Sequence, residues 1–141
     1  MTHSLFEKCA VTGIGETEYS RNAYRSPMAL TMEASLKAIA DAGLQPTDID
    51  GVIPYSAGDC VAEDFITNLG LEDLRLSVTT PLGGASNVAA IQTAVTAIAC
   101  GIANHVLIPI GRTGSSGTRI GARIQAMPQF RTVGEYEMPM G

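Results

Sequence analysis

Five small or polar residues, Gly83–Gly84–Ala85–Ser86–Asn87, stand where a β-rich run gives way to a long apolar helical pattern. A strand that feeds a helix through such a turn brings backbone N–H groups and the positive helix end to one point. Such a point can hold an anion, stabilise a developing oxyanion, or carry a nucleophile on a sharp elbow. Small residues at the same place also let a buried helix pack closely on its sheet, and spacing alone does not separate the two roles. Ser86 is the evident nucleophile candidate, yet positions 84 to 88 read Gly–Ala–Ser–Asn–Val and lack the G-x-S-x-G pattern. A capping role for Ser86 or Asn87 at the helix start is the better expectation.

The other reactive side chains form no comparable group. Gly13-x-Gly15 hints at a dinucleotide loop, but Glu18 breaks the G-x-G-x-x-G spacing and no helix follows at once. His3 and His105 do not pair with cysteine at metal-ligand spacing, which argues against a zinc site. Cys100, late in the apolar helix, is expected to pack as a small hydrophobe, and Cys60 to lie more exposed in a loop. Arg112, Arg119, Arg123 and Arg131 surround a Gly/Ser-rich stretch and could reach phosphates such as those of coenzyme A. A solvated loop is the competing reading of these arginines.

The elements that must position these residues follow from periodicity. Cys9–Ile14 reads as a first strand. Ser26–Pro27 opens a helix that Gly43 stops before Pro46. Gly51–Tyr55 is the next strand, and Ala62–Leu69 a short helix ending at Gly70. Arg75–Thr80 is β-rich up to Pro81, and Val88, Ile91, Val95, Ile98 and Ile102 then recur at helical spacing. That helix is apolar around most of its circumference, which predicts burial on more than one side. His105–Ile110 is a continuous apolar strand, with Pro109 marking its end or an edge. The order β-α-β-α-β-α-β predicts an α/β fold with a mostly parallel sheet and a buried central helix. The pattern covers residues 1–112, and residues 113–141 read as a Gly/Ser/Arg-rich loop segment.

At 141 residues the chain fits one domain. Only 16% of residues are charged against 45% hydrophobic, and mean hydropathy is +0.17. Such a surface calls for cover by a partner subunit or by the rest of a larger fold. A net charge of −5, no Trp and few aromatics argue against nucleic acid or an anionic membrane surface as partner. Three scattered cysteines fit reduced thiols in a cytoplasmic protein. The opening MTHSLFEKC lacks a signal-peptide pattern. Residues 85–110 are apolar but broken by Asn87, Gln92, Asn104 and His105, so no membrane span is expected.

Taken together, several segments resemble the thiolase superfamily. They are VTGIGETEYSR, a Pro-started helix with an Ala–Gly–Leu stop, DIDGVI, and ASNVAAIQTAVTAIACGI followed by NHVLIPIG. Downstream, VGEYEMPMG resembles lipid-transfer-type thiolases related to sterol carrier protein x. The resemblance implies a thiolase-like βαβαβαβ half-domain, the N-terminal half of a longer protein whose later half brings the acid/base groups. It also implies acyl-CoA substrates, with a coenzyme A thioester as substrate and no bound cofactor, and a homodimer formed through the strand Arg75–Thr80. The family's nucleophilic cysteine would fall at Gly84, counting back from Ile98–Ala99–Cys100–Gly101, and glycine offers no nucleophile. Cys100 lies about 24 Å further along the helix at ~1.5 Å per residue and cannot replace it. Covalent acyl transfer is therefore not expected. A branch of the lipid-transfer group also lacks the cysteine, and some members are retro-aldolases that cleave CoA-linked steroid side chains, often with a small partner protein. The resemblance thus implies aldolase/lyase-type cleavage, with Gly83, Gly84, Ala85, Ser86 and Arg112 against the substrate. An acyltransferase with a misplaced nucleophile and a non-catalytic lipid-CoA-binding or scaffolding subunit are the alternatives.

Overall fold

The computed structural model describes Leu5, residues 7–21, 24–55, 60–113 and Ala122. Helix α1 (Pro27–Asp41) starts where the sequence places it: the Ser26 hydroxyl accepts the Ala29 N–H at 3.1 Å, and proline occupies the first helical position. It stops at Gly43, whose φ of +71° suits a residue without a Cβ. Strand β1 (Gly51–Val52) follows, then α2 (Ala62–Leu69), which ends on left-handed Gly70. Strand β2 (Leu76–Ser77), α3 (Ser86–Ala99) and β3 (Val106–Leu107) complete the described elements.

The three strands form a parallel sheet in the order β2-β1-β3, with Gly51 opposite both Leu76 and Val106. Gly51 is required there, since a Cβ would sit 2.9 Å from the Val106 methyl. The strands are shorter than the apolar runs suggest, but single hydrogen bonds continue beyond them. Ile53 donates to Leu107 and Tyr55 to Pro109, at 2.9 and 3.1 Å. The continuation past Leu107 uses the Pro109 carbonyl, the group a proline keeps.

Side chains alternate across this sheet. Val52 and Leu107 join Ile39, Ile49, Phe65, Leu69 and Leu71 in a core under α1 and α2. Ile53, with Leu76, Val106 and Ile108, meets Ala90 and Ala94 of α3 on the other face. The sheet is thus covered by α1 and α2 on one side and α3 on the other. Asp50 locks its amino end: the buried carboxylate accepts the Asn104 and His105 amides at 2.8–2.9 Å and the Asn104 side chain at 2.9 Å. Burial pushes this carboxyl up, but those donors and the Arg75 charge outweigh it and hold the group below the usual carboxylate range.

Two expectations need correction. Cys9–Ile14 pairs with no strand among the described residues. It runs as an extended strap between the helices, with the Cys9 thiol on the Val95 carbonyl at 3.6 Å and the Ile14 amide on Asp41 at 2.9 Å. Gly13 and Gly15 serve this close approach, because a Cβ on either would lie 2.0–2.2 Å from an α1 carbonyl. The strap, α1, α3 and β3 together line a groove of about 780 Å³. The second correction concerns α3, whose small face, Ser86, Ala90, Ala94 and Ala97, is the buried one. Val88 and Ile91 are 70% and 50% exposed, so among the described residues the helix is covered by the sheet and, at Val95, by the strap, while its Val88–Ile91 face is open. No helix among the described residues is long and apolar enough to cross a membrane.

Candidate functional site

Three strand ends converge at the carboxyl edge of the sheet. β1 leads to Tyr55, β2 to Thr80 and the glycine turn, and β3 to Gly111 and Arg112. In parallel α/β sheets this edge is where ligands bind.

The turn is a single 3-10 helix, Gly83–Ala85, running directly into α3. Gly83 has φ +59°, a conformation that favours glycine, whereas Gly84 has an ordinary φ and open space where a side chain would stand. The Ala85 amide bonds the Leu82 carbonyl and the Ser86 amide bonds the Gly83 carbonyl. The amides of Gly83 and Gly84 have no acceptor among the described residues, as expected at the first positions of a helical turn.

Ser86 holds the turn from inside. It is 1% exposed, its hydroxyl accepts the Leu82 N–H at 3.0 Å, and its carbonyl accepts the Thr80 hydroxyl at 2.9 Å. It is the first residue of α3 rather than its cap. The capping position is Ala85, which has no side-chain oxygen, and Asn87 is exposed. The sequence shows a serine near a helix start but not that its hydroxyl turns back toward Leu82.

Arg112 closes the site from the far strand. Its guanidinium donates to the Tyr55 hydroxyl at 2.6 Å and lies 4.7 Å from the centre of the Tyr55 ring. The same hydroxyl reaches the Gly83 carbonyl at 3.4 Å. Gly111 permits this, since a Cβ there would stand 1.8 Å from the Thr31 hydroxyl of α1. Tyr55 is the residue that sequence reasoning missed. Its one signal is its place as the last residue of the strand run Gly51–Tyr55.

The cysteines reverse the expected order of exposure. Cys100 is exposed, because α3 ends at Ala99 and left-handed Gly101 turns the chain away. Cys60 is half-buried, with sulfur 3.7 Å from the Thr31 hydroxyl and 3.9 Å from the Met28 sulfur. His105 faces the Asp48 carbonyl at 3.1 Å at the opposite edge of the sheet. Among the described residues no three His, Cys, Asp or Glu side chains gather as metal ligands. Arg119, Arg123, Arg131 and the stretch VGEYEMPMG lie outside the described residues.

A parallel sheet flanked by helices, whose carboxyl edge carries a glycine turn opening a helix, makes this an α/β domain consistent with a thiolase-like half-domain. Similar proteins narrow the class. A steroid side-chain-cleaving aldolase of Thermomonospora curvata is 38% identical over 112 residues, covering 79% of this chain and 29% of that protein. A 17-hydroxy-3-oxo-4-pregnene-20-carboxyl-CoA lyase of Mycobacterium tuberculosis is 35% identical over 117 residues, 83% of this chain and 30% of the lyase. Among solved structures, the Ltp2-ChsH2(DUF35) aldolase superposes with a TM-score of 0.71 at 35% identity, covering 83% of this chain and 31% of that one. No protein-family model matches the chain. The fold is that of the thiolase-like aldolase superfamily, matched by steroid and lipid-CoA aldolases and lyases over most of this chain. The chain spans about three-tenths of the length of these relatives.

Proposed function

We propose that this chain supplies the glycine-turn part, within the N-terminal half, of a thiolase-like lyase that cleaves a C–C bond in a lipid- or steroid-CoA side chain. The observation that carries the reading is the pair of amides at Gly83 and Gly84. They have no acceptor among the described residues and stand beside an open position without a nucleophile. In a retro-aldol step a base takes the proton of the β-hydroxyl, a ketone forms, and the bond between the α and β carbons breaks. Its electron pair passes to the thioester oxygen as an enolate, which is then protonated on the α carbon. Amides aimed at that oxygen stabilise the charge as it develops, and no covalent acyl-enzyme is needed.

The relatives' names, a steroid side-chain-cleaving aldolase and a carboxyl-CoA lyase, support this class of substrate. In this reading residues 1–112 form the half-domain, and Gly83, Gly84, Ala85, Ser86 and Arg112 border the thioester. Residues 113–141 lead towards the remaining acid/base groups. The homodimer and a small partner protein stay within the proposal, as does a cytoplasmic location.

The test is to incubate the full-length protein with a β-hydroxyacyl-CoA carrying a steroid or branched lipid chain. Equal amounts of ketone and shortened acyl-CoA are expected, with no acyl adduct on the intact protein. Free CoA with an acylated cysteine would establish acyl transfer instead. Tight CoA-ester binding without turnover would establish a non-catalytic subunit.

A further inference from the structure

We propose that Tyr55 and Arg112 form a positioning pair that aims the Gly84 amide, an inference that rests on the lyase reading only for its kinetic consequence. The pair joins the ends of two strands to the turn after the third. Arg112 donates to the Tyr55 hydroxyl at 2.6 Å, which leaves the phenol's own proton to point at the Gly83 carbonyl, 3.4 Å away. The guanidinium also rests against the Tyr55 ring, 4.7 Å from its centre, and restrains the side chain from a second direction.

The consequence follows from peptide geometry. The Gly83 carbonyl and the Gly84 N–H belong to one planar trans unit, so they point in opposite directions and turn together. Gly83 and Gly84 both lack a Cβ, and rotation of this unit meets little steric resistance. The Gly83 carbonyl already accepts the Ser86 amide on the helix side. Tyr55 adds a second restraint, from a residue 28 positions away across the sheet. The N–H of Gly84 is thereby held in one direction before any substrate arrives, which is what electrostatic preorganisation requires. Neither residue needs to touch the reacting atoms for this. Gly111 belongs to the same device, because only a residue without a Cβ passes Thr31 closely enough to deliver Arg112.

The experiment uses the full-length protein and the variants Tyr55→Phe, Arg112→Ala and Arg112→Lys, each checked for cooperative unfolding. Tyr55→Phe keeps the ring under the guanidinium and removes only the hydroxyl. In protein labelled with 15N-glycine, the order parameter of the Gly84 amide is expected to fall from about 0.85 to below about 0.6 in Tyr55→Phe and Arg112→Ala. Arg112→Lys keeps a donor and should restore most of the order. In Tyr55→Phe, turnover of a β-hydroxyacyl-CoA should drop about 10- to 100-fold in kcat with KM within about threefold, a fraction of the loss seen when such a donor is removed outright. An unchanged Gly84 order parameter in both Tyr55→Phe and Arg112→Ala overturns the pair, whatever the activity. A rise in KM at constant kcat in Tyr55→Phe also overturns it, because the phenol would then be a substrate contact. If the wild-type protein cleaves nothing while the Gly84 response is as expected, the lyase reading fails and the pair stands.

Discussion

Gly84→Cys probes the empty seat directly. The position has an ordinary φ and nothing within 4 Å of a built Cβ, so a cysteine fits without strain. Replacing glycine there should change stability by less than about 1 kcal/mol, with the lost unfolded-state entropy on the favourable side. The new sulfur stands two residues before α3, where a helix dipole is worth about 0.3–1 kcal/mol to a negative charge. At about 1.36 kcal/mol per unit that lowers a thiol of pKa about 8.5 by about 0.2–0.7 units, raising the thiolate fraction at pH 7 from about 3% to about 5–14%. Iodoacetamide labelling across pH, read peptide by peptide, should show the introduced thiol titrating below about 8.5. Acetyl-CoA should leave an acyl adduct on that thiol, and in the Gly84→Cys variant alone. A normal or raised titration of the introduced thiol would refute the helix-end geometry. An adduct on Cys60 or Cys100 of the unaltered protein would refute the assignment of the nucleophile's place to Gly84.

Three further outcomes test the frame around the site. Asp50→Ala leaves the Asn104 and His105 amides without their acceptor and should cost about 2–4 kcal/mol, read from denaturant midpoints. The folded carboxyl sits below its ordinary range, so its contribution is complete above about pH 4 and fades as pH falls through the lowered value. A wild-type-minus-Asp50→Asn stability difference that stays constant from about pH 7 to about pH 2 would contradict this. Gly15→Ala drives a Cβ to 2.0 Å from the Ala34 carbonyl. It should cost about 1–3 kcal/mol or free residues 8–15 from α1, seen as faster proteolysis there. Ser86→Ala removes the acceptor for the Leu82 amide and should cost about 1–2 kcal/mol, and a loss under about 0.3 kcal/mol by chemical denaturation would discount the inward hydroxyl.

Local signals carried the helices. Ser26–Pro27, Gly43 and Gly70 each act through the backbone of their own neighbourhood, and the structure places helix ends at all three. The alternation of strand and helix likewise led to a parallel sheet. Pairing was less legible, because partners are chosen across the chain. Cys9–Ile14 has strand composition, but Gly13 and Gly15 let its backbone close on α1. The link between Arg112 and Tyr55 spans 57 residues and leaves no periodic trace.

Helix α3 shows why the site itself was only half visible. Periodicity tells which residues share a face, and it grouped Val88, Ile91, Val95 and Ile98 correctly. It does not tell which face meets the sheet. Side-chain size decides that: Ala90 and Ala94 against Ile53 and Ile108 allow the helix to lie close to the strands, where a row of isoleucines would hold it away. The close seat puts Ser86 in the interior, within reach of Leu82 and Thr80, and so fixes the path of the glycine turn. The small residues that suggested either tight packing or an anion site therefore divide between the packing and the proposed oxyanion role. Ser86, Ala90, Ala94 and Ala97 seat the helix, and that seat leaves Gly83 and Gly84 at its open end with their amides outward from the fold's own hydrogen bonds.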